Sequence, residues 1–106
     1  MRLAPSTDVF RAIADPTRRA LLDRLRAGDV SVADLAGPFR MTQPAVSQHL
    51  RILRDAGLVR AEQVGRQRLY QLNPRPLRDV FEWAGMYRHL FKDPAGHAWR
   101  VHKSQK

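Results

Sequence analysis

The 106-residue sequence predicts a mainly α-helical (α+β) domain that carries a two-stranded β-hairpin, with elements in the order α-α-α-α-β-β-α. Two observations predict this class. Apolar residues recur at helical spacing along most of the chain, whereas the stretches on both sides of Gly65-Arg66 alternate as half-buried strands do. Proline, glycine and capping residues separate these segments. We expect 1–106 to form a single domain in which 94–106 is a basic tail.

The first two helices have recognisable start signals. A short helix is expected over 8–14, with Ser6 or Thr7 as its N-cap. Asp15 and Pro16 then mark the next start, because aspartate is a favoured N-cap and proline costs nothing at the first helical position. Gly28 is expected to end this second helix.

The next two helices meet across a tight turn. A short helix is expected over 31–37, where a serine cap opens it and the glycine-proline pair that follows stops it. Thr42 is placed to cap a longer helix over 43–56, and Gly57 can take the left-handed position after its end. Two helices joined in this way form a helix-turn-helix.

A β-hairpin and a final helix complete the pattern. The strands are expected over 59–64 and 67–72, and Gly65 can supply the positive φ that a two-residue turn needs. A last helix is expected over about 77–90. A hairpin directly after a helix-turn-helix predicts a winged helix.

One face of the helix over 43–56 is polar from its first turn onward. With Val46 placed inward, the opposite side carries side chains that suit DNA, because glutamine can pair with adenine and arginine with guanine or a phosphate. The second helix of a helix-turn-helix enters the major groove, and the hairpin tip can reach the backbone or the minor groove. The predicted DNA-binding residues are Thr42, Gln43, Pro44, Ser47, Gln48, Arg51, Arg54, Arg66, Gln67 and Arg68.

The charge balance agrees with a nucleic-acid partner. Nineteen Lys and Arg face ten Asp and Glu, which gives a formal charge of +9, and all but three of these cations are arginine. A strongly basic domain is one feature of nucleic-acid binders. Charge alone does not show that the partner is a nucleic acid, since acidic membranes also attract a basic protein. A polar helix face does not show it either, because any solvated helix face is polar.

Several function classes have no support in the sequence. There is no cysteine, and hence neither a disulfide framework nor a thiolate metal site. No apolar run approaches the length of a membrane span, so we expect a cytoplasmic protein without a membrane partner. Ser47 and His49 lie two apart on a helix and do not face each other, and no phosphate-binding glycine loop is present. We therefore predict neither an enzyme nor a cofactor.

The first and last helices carry more apolar surface than one small core readily covers. Packing both helices against their copies would bury this surface in a two-fold interface, and two reading helices would then meet a pseudo-palindromic site. The alternative is that these side chains complete the core of the chain itself. The predicted interface residues are Val9, Phe10, Ile13, Leu77, Val80, Phe81, Ala84 and Tyr87.

Three segments together carry a family resemblance. The stretches DPTRRALLDRL (15–25), MTQPAVSQHLRILRDAGLV (41–59) and VGRQRLYQL (64–72) resemble the ArsR/SmtB winged-helix repressors, over roughly residues 6–91. The resemblance implies a homodimeric bacterial repressor that leaves its operator DNA when a signal arrives. It also implies a reading helix over 43–56 and a wing over 60–71.

The departures from that family pattern concern metals. Metal-sensing members carry cysteines before the reading helix, where this chain reads SVADLAG. The last helix offers Asp79, Glu82 and His89 but lacks the Asp-x-His pair and second histidine of the other known type of site. The chain therefore resembles the metal-free branch, and we predict no metal ligands.

Other functions stay open at this point. A basic protein that binds DNA or RNA without sequence preference would share the same surface and salt dependence. A metal-responsive repressor and a winged helix used only for protein contacts are further alternatives. The sequence predicts neither the operator nor the inducing signal.

Overall fold

The computed structural model describes residues 7–91, which form six helices and one small antiparallel sheet. The helices are α1 (Thr7–Ala14), α2 (Pro16–Leu25), α3 (Val32–Phe39), α4 (Gln43–Asp55), α5 (Arg75–Gly85) and α6 (Arg88–Phe91). The strands are β1 (Val30–Ser31), β2 (Val59–Val64) and β3 (Gln67–Leu72). The predicted succession of four helices, a hairpin and a terminal helix is confirmed. The basic tail predicted for 94–106 lies outside the described residues.

The core lies where α2, α3 and α4 meet the sheet. Each of these helices contributes the apolar residues that recur at helical spacing, so that one side of every helix is buried. The largest fully buried side chains are Leu21, Leu35, Val46, Leu50, Leu53 and Leu58. Three of them come from α4, which fixes which side of that helix faces outward.

The sheet has three strands instead of the predicted two. The two-residue strand β1 pairs with β3, with Val30 opposite Tyr70 and Ser31 opposite Leu69, and the strand order is β1-β3-β2. Two residues are too few to show alternation, so the sequence pattern contains no sign of this strand. Between β2 and β3 the turn is as predicted, since Val64 faces Gln67 and Gly65 has a φ of 62°.

The prediction that the glycine-proline pair ends α3 at residue 37 was wrong. The helix continues through Pro38 to Phe39, and Arg40 then takes the left-handed conformation with a φ of 55°. The missing N–H of Pro38 removes one helical hydrogen bond, and only Phe39 follows it in the helix. The amides of Arg40 and Met41 donate to the carbonyls of Gly37 and Ala36, which is a Schellman end built without glycine at its left-handed position.

The last predicted helix is divided in two. Instead of one helix over 77–90, α5 begins at Arg75 and ends at Gly85, and the short α6 follows. The earlier start is explained by Pro76, which is well placed in a first helical turn. In the isolated chain α5 has no fully buried residue, although Leu77 and Val80 pack against the core.

Candidate nucleic-acid interface

The start of α4 is built by a threonine cap and a proline. Thr42 has an extended backbone, and its hydroxyl oxygen accepts a hydrogen bond of 3.2 Å from the amide of Ala45. Pro44 lies in the first turn, where it has no helical hydrogen bond to lose. The first turn of α4 therefore forms as the sequence predicts, and its remaining free amides give it a partial positive charge.

The outward side of α4 is polar and exposed. Val46, Leu50 and Leu53 are fully buried, so the residues on the opposite side of the helix point into solvent. We call this side, with the N-cap, the reading face, and all of its members are exposed. They are Thr42, Gln43, Pro44, Ser47, Gln48, Arg51 and Arg54.

The hairpin turn carries the second predicted group. Arg66, Gln67 and Arg68 are exposed at and just after the turn, and with Gly65 we call them the wing tip. Gly65 alone of the two turn residues has a positive φ, as a type II′ turn requires of its first position. Thus all ten residues predicted to bind DNA lie on two exposed surfaces, α4 and the wing.

The cations of both surfaces have no acidic partner within residues 7–91. There Arg78 pairs with Glu82, and His49 lies 4.0 Å from the Asp15 carboxylate; neither contact involves the reading face or the wing tip. Arg51, Arg54, Arg66 and Arg68 therefore carry charges that no described carboxylate neutralises. Unpaired guanidinium groups suit phosphates and guanine edges.

The end of α4 is tied to the wing. Gly57 has a φ of 80°, and its amide and that of Leu58 donate 2.9 Å hydrogen bonds to the carbonyls of Arg54 and Leu53. This is the Schellman arrangement expected at a glycine stop. Asn73, the residue after β3, donates from its side chain to the Gly57 carbonyl at 2.7 Å. The reading helix and the base of the wing therefore share one junction.

Sequence reasoning missed a second junction, at His49 in the middle of α4. The guanidinium of Arg18 lies 3.3 Å from the Nδ1 atom of His49, and that atom is 4.0 Å from the Asp15 carboxylate. Asp15 also caps α2, and the hydrogen bond from the Arg18 amide holds the pKa of its carboxyl below the ordinary value. Arg18 and His49 are 31 residues apart, so no local pattern announces their contact.

The residues predicted for a dimer interface divide into two groups. Val9 is only 5% exposed and belongs to the core of the chain itself, and Ile13, Leu77 and Val80 pack against that core. One face of α1 therefore already has a partner within the chain, and the place of Val9 in a dimer interface stays a prediction. Phe81 is 78% exposed and Tyr87 is 43% exposed, and Met86 and Leu90 beside them are exposed as well.

The aromatic rings of α1 and α5 join these two groups. Phe10 and Trp83 meet edge to face with their ring centroids 5.4 Å apart, and Trp83 meets Tyr87 at 5.5 Å. Ala84 is half-buried on the same helix and lines an open hollow of about 610 Å³ beside Phe81 and Met86. The outer side of α5 around Phe81 is therefore largely apolar, although Glu82 and Arg88 also line the hollow, and no described part of the chain covers it.

Two further features of the described residues bear on the alternatives. Between residues 7 and 91, no three His, Cys, Asp or Glu side chains lie close enough together to hold a metal ion. Among the helices of the same range, none combines the length and hydropathy that a membrane crossing requires.

Comparisons with known proteins agree with this architecture. Residues 15–61 match the family model described as bacterial regulatory protein, arsR family. The transcriptional repressor SdpR of Bacillus subtilis is 41% identical over 76 residues, which cover 72% of this chain and 84% of SdpR. The regulator Rv2034 of Mycobacterium tuberculosis is 46% identical over 68 residues. That match covers 64% of each protein, so this chain spans less than two thirds of the length of Rv2034.

Solved structures show the same relationship. A crystal structure of an ArsR family transcriptional regulator superposes with a TM-score of 0.70 at 37% identity, covering 81% of this chain and 89% of that one. A possible transcriptional regulator for arsenical resistance gives 0.67 at 36% identity, covering 84% and 90%. The fold is a winged helix-turn-helix. The chain belongs to the ArsR family of bacterial transcriptional regulators, as its three sequence segments indicated.

Proposed function

We propose that this regulator is a homodimeric repressor that reads a pseudo-palindromic operator in double-stranded DNA, with α4 in the major groove and the wing against the backbone. The observation that carries this proposal is the reading face, which is exposed throughout and whose arginines have no carboxylate partner among the described residues. Repression is proposed because SdpR, a relative that this chain covers over most of its length, is named a transcriptional repressor.

The proposed roles follow from position and chemistry. Gln43, Pro44, Ser47, Gln48 and Arg51 lie on the first turns of α4, where a reading helix meets base edges or the phosphates that flank them. Thr42 already accepts the Ala45 amide, and its hydroxyl hydrogen is left to donate to a phosphate. The group assigned to phosphates comprises Arg54, Arg66, Gln67 and Arg68.

The proposed dimer surface is the outer side of α5 together with α6. Phe81 and Met86 are 78% and 67% exposed, and such neighbouring apolar side chains favour a protein contact over solvent. A two-fold contact through this surface would bury them against their own copies. One structural neighbour of 24% identity, which by itself supports only the fold, is described as a homodimer.

We also propose that the protein acts in the cytoplasm, where bacterial DNA lies, and that it has no catalytic activity. The family consists of transcriptional regulators, which supports this proposal.

The proposal is tested by competition binding at one fixed, near-physiological salt concentration. Duplexes selected by the protein from the source genome compete with scrambled duplexes of equal length. A preference of about a thousandfold or more for the selected site is expected of a specific regulator, and the site should contain two related half-sites. A ratio near one with steep salt dependence would overturn the proposal in favour of non-specific DNA or RNA binding.

A further inference from the structure

The two consecutive arginines of α2 together bond the carbonyl end of α1. The last four carbonyls of a helix have no partner within it. Arg18 donates to the carbonyls of Arg11 and Ala12 at 3.0 and 2.8 Å, and Arg19 donates to those of Ile13 and Ala14 at 2.8 and 3.1 Å. All four carbonyls are therefore satisfied, and both positive charges stand at the negative end of the α1 dipole.

Only one of these two arginines extends to the reading helix. The remaining guanidinium nitrogen of Arg18, Nη1, lies 3.3 Å from Nδ1 of His49 on α4. A guanidinium can only donate, so in this contact Nδ1 is the acceptor and the ring hydrogen lies on Nε2. The His49 side chain is 23% exposed, which places the contact mostly out of solvent. The planar guanidinium of Arg18 thus contacts both α1 and α4.

The Arg18 guanidinium is one link in a series of contacts that leads to the apolar surface of α5. From α1, Phe10 packs edge to face on Trp83, and Trp83 packs on Tyr87. The reading helix is thereby joined to α1 by Arg18, and α1 is joined to α5 by aromatic rings. Arg18 holds α4 at a fixed angle to α1. In a dimer formed through α5, that angle would set the position of each reading helix relative to the two-fold axis.

We infer that Arg18, acting with His49, is a positioning residue that sets the half-site spacing this regulator accepts without itself touching DNA. The inference rests on the proposed homodimeric operator binding. Its physical basis is geometric. One base pair added or removed between the half-sites moves one half-site by roughly 3.4 Å along the duplex and rotates it by roughly 35° around the duplex axis. An α4 that is free to tilt tolerates such a change, and a fixed α4 does not.

The test compares Arg18→Met with Arg19→Met. Each variant loses one charge and two hydrogen bonds to α1 carbonyls, but only the first loses the contact with α4. Both are titrated against the selected operator and against versions with one base pair added to or removed from between the half-sites. We expect wild type and Arg19→Met to lose about tenfold or more on the altered spacings, and Arg18→Met to bind all three within about threefold.

A second pair of variants addresses the same contact from α4. His49→Asn keeps an acceptor near the position of Nδ1 and should keep the spacing preference, whereas His49→Leu removes the acceptor and should relax it. If His49 contacted DNA, replacing it would instead lower affinity equally at every spacing. These variants also supply the test if Arg18→Met does not fold, which its thermal melting curve would reveal.

The outcomes are distinct. Relaxed spacing in Arg18→Met and His49→Leu, with the preference kept in Arg19→Met and His49→Asn, supports the inference. An unchanged preference in Arg18→Met and His49→Leu overturns it, as does equal relaxation in Arg18→Met and Arg19→Met. If wild type itself binds no DNA sequence specifically, the proposed function fails first and the inference falls with it.

Discussion

The side-chain amide of Asn73 donates a 2.7 Å hydrogen bond to the carbonyl oxygen of Gly57. The backbone amide of Asn73 donates in addition to the carbonyl of Leu58, at 2.8 Å. Asn73, which follows the wing, thus bonds Gly57 and Leu58, the two residues whose amides close the end of the reading helix. Because Gly57 lies beyond Asp55, the last residue of α4, no later amide of that helix is available to replace this partner.

We expect Asn73→Ala to lower the free energy of unfolding by about 1 kcal/mol, because a half-buried carbonyl loses its donor. Urea denaturation at one fixed protein concentration measures the change, since the stability of a dimer depends on concentration. Gln71→Ala is the control, because the Gln71 amide bonds Asp29 and Glu62 on the exposed surface. Losses of equal size in both variants would mean that the hydrogen bond to the Gly57 carbonyl contributes no more to the free energy of unfolding than an exposed one.

The same substitution should lower stability at one glycine and change it little at another. At Gly57, with a φ of 80°, an alanine would pay about 1–2 kcal/mol for the left-handed conformation, although its Cβ would have room 3.6 Å from Pro76. At Gly37, inside α3, an added Cβ would meet only the ring of the next residue, Pro38, which offsets the usual gain of alanine in a helix, so the change in stability should be close to zero. Thermal melting of both variants tests this. Stabilisation by Gly57→Ala would contradict the left-handed assignment.

Much of the site follows from local signals. Thr42 and Gly57 bound the reading helix because a threonine oxygen satisfies a free amide and a glycine tolerates positive φ. The spacing of Val46, Leu50 and Leu53 then determines the exposed side. Such signals act within a few residues along the chain, so a single sequence contains them.

What the sequence did not predict depends on distant contacts. Strand β1 exists because Val30 and Ser31 find partners on β3, and the Arg18–His49 contact spans 31 residues. The burial of Val9 likewise depends on what packs over α1. In each case a short or ambiguous segment takes its structure from a neighbour far along the chain, and no periodicity records that neighbour.

The reading face and the wing tip should respond differently to alanine. Arg51→Ala should cost about 1–3 kcal/mol on the selected operator and change the preferred base at one position, if Arg51 makes a bidentate contact with guanine. Arg66→Ala should weaken all duplexes alike and reduce the salt slope by about one for each subunit. Fluorescence anisotropy on base-substituted operators measures both. An equal loss on every duplex for Arg51→Ala would remove its base-reading role.

Replacing Phe81 should separate dimerisation from folding. Phe81 is 78% exposed in the single chain, so Phe81→Glu should leave the fold intact while placing a charge in the proposed interface. We expect the dimer dissociation constant to rise by about tenfold or more, measured by sedimentation equilibrium. Val64→Glu is the control, because Val64 is an exposed apolar residue of the wing. An unchanged dissociation constant in Phe81→Glu would exclude this surface as the dimer contact.

Acid should weaken the α1–α2 junction through Asp15. The amide of Arg18 donates to this carboxylate and lowers its pKa in the folded chain, and the charges of Arg18 and His49 act in the same direction. The unfolded chain therefore binds the proton more readily. This contribution to stability is present in full above the ordinary pKa of 3.8 and is lost as the pH falls through the lower folded-state pKa.

Asp15→Asn isolates that effect, because asparagine caps a helix as aspartate does but does not titrate. Both proteins are unfolded with urea at a series of pH values from about 5 down to about 2.5, a range in which the other carboxyl groups titrate in both. We expect the stability advantage of wild type to be largest at the upper end and to shrink toward the lower end. A difference that stays constant across the range would show that the folded chain does not favour the charged form of Asp15.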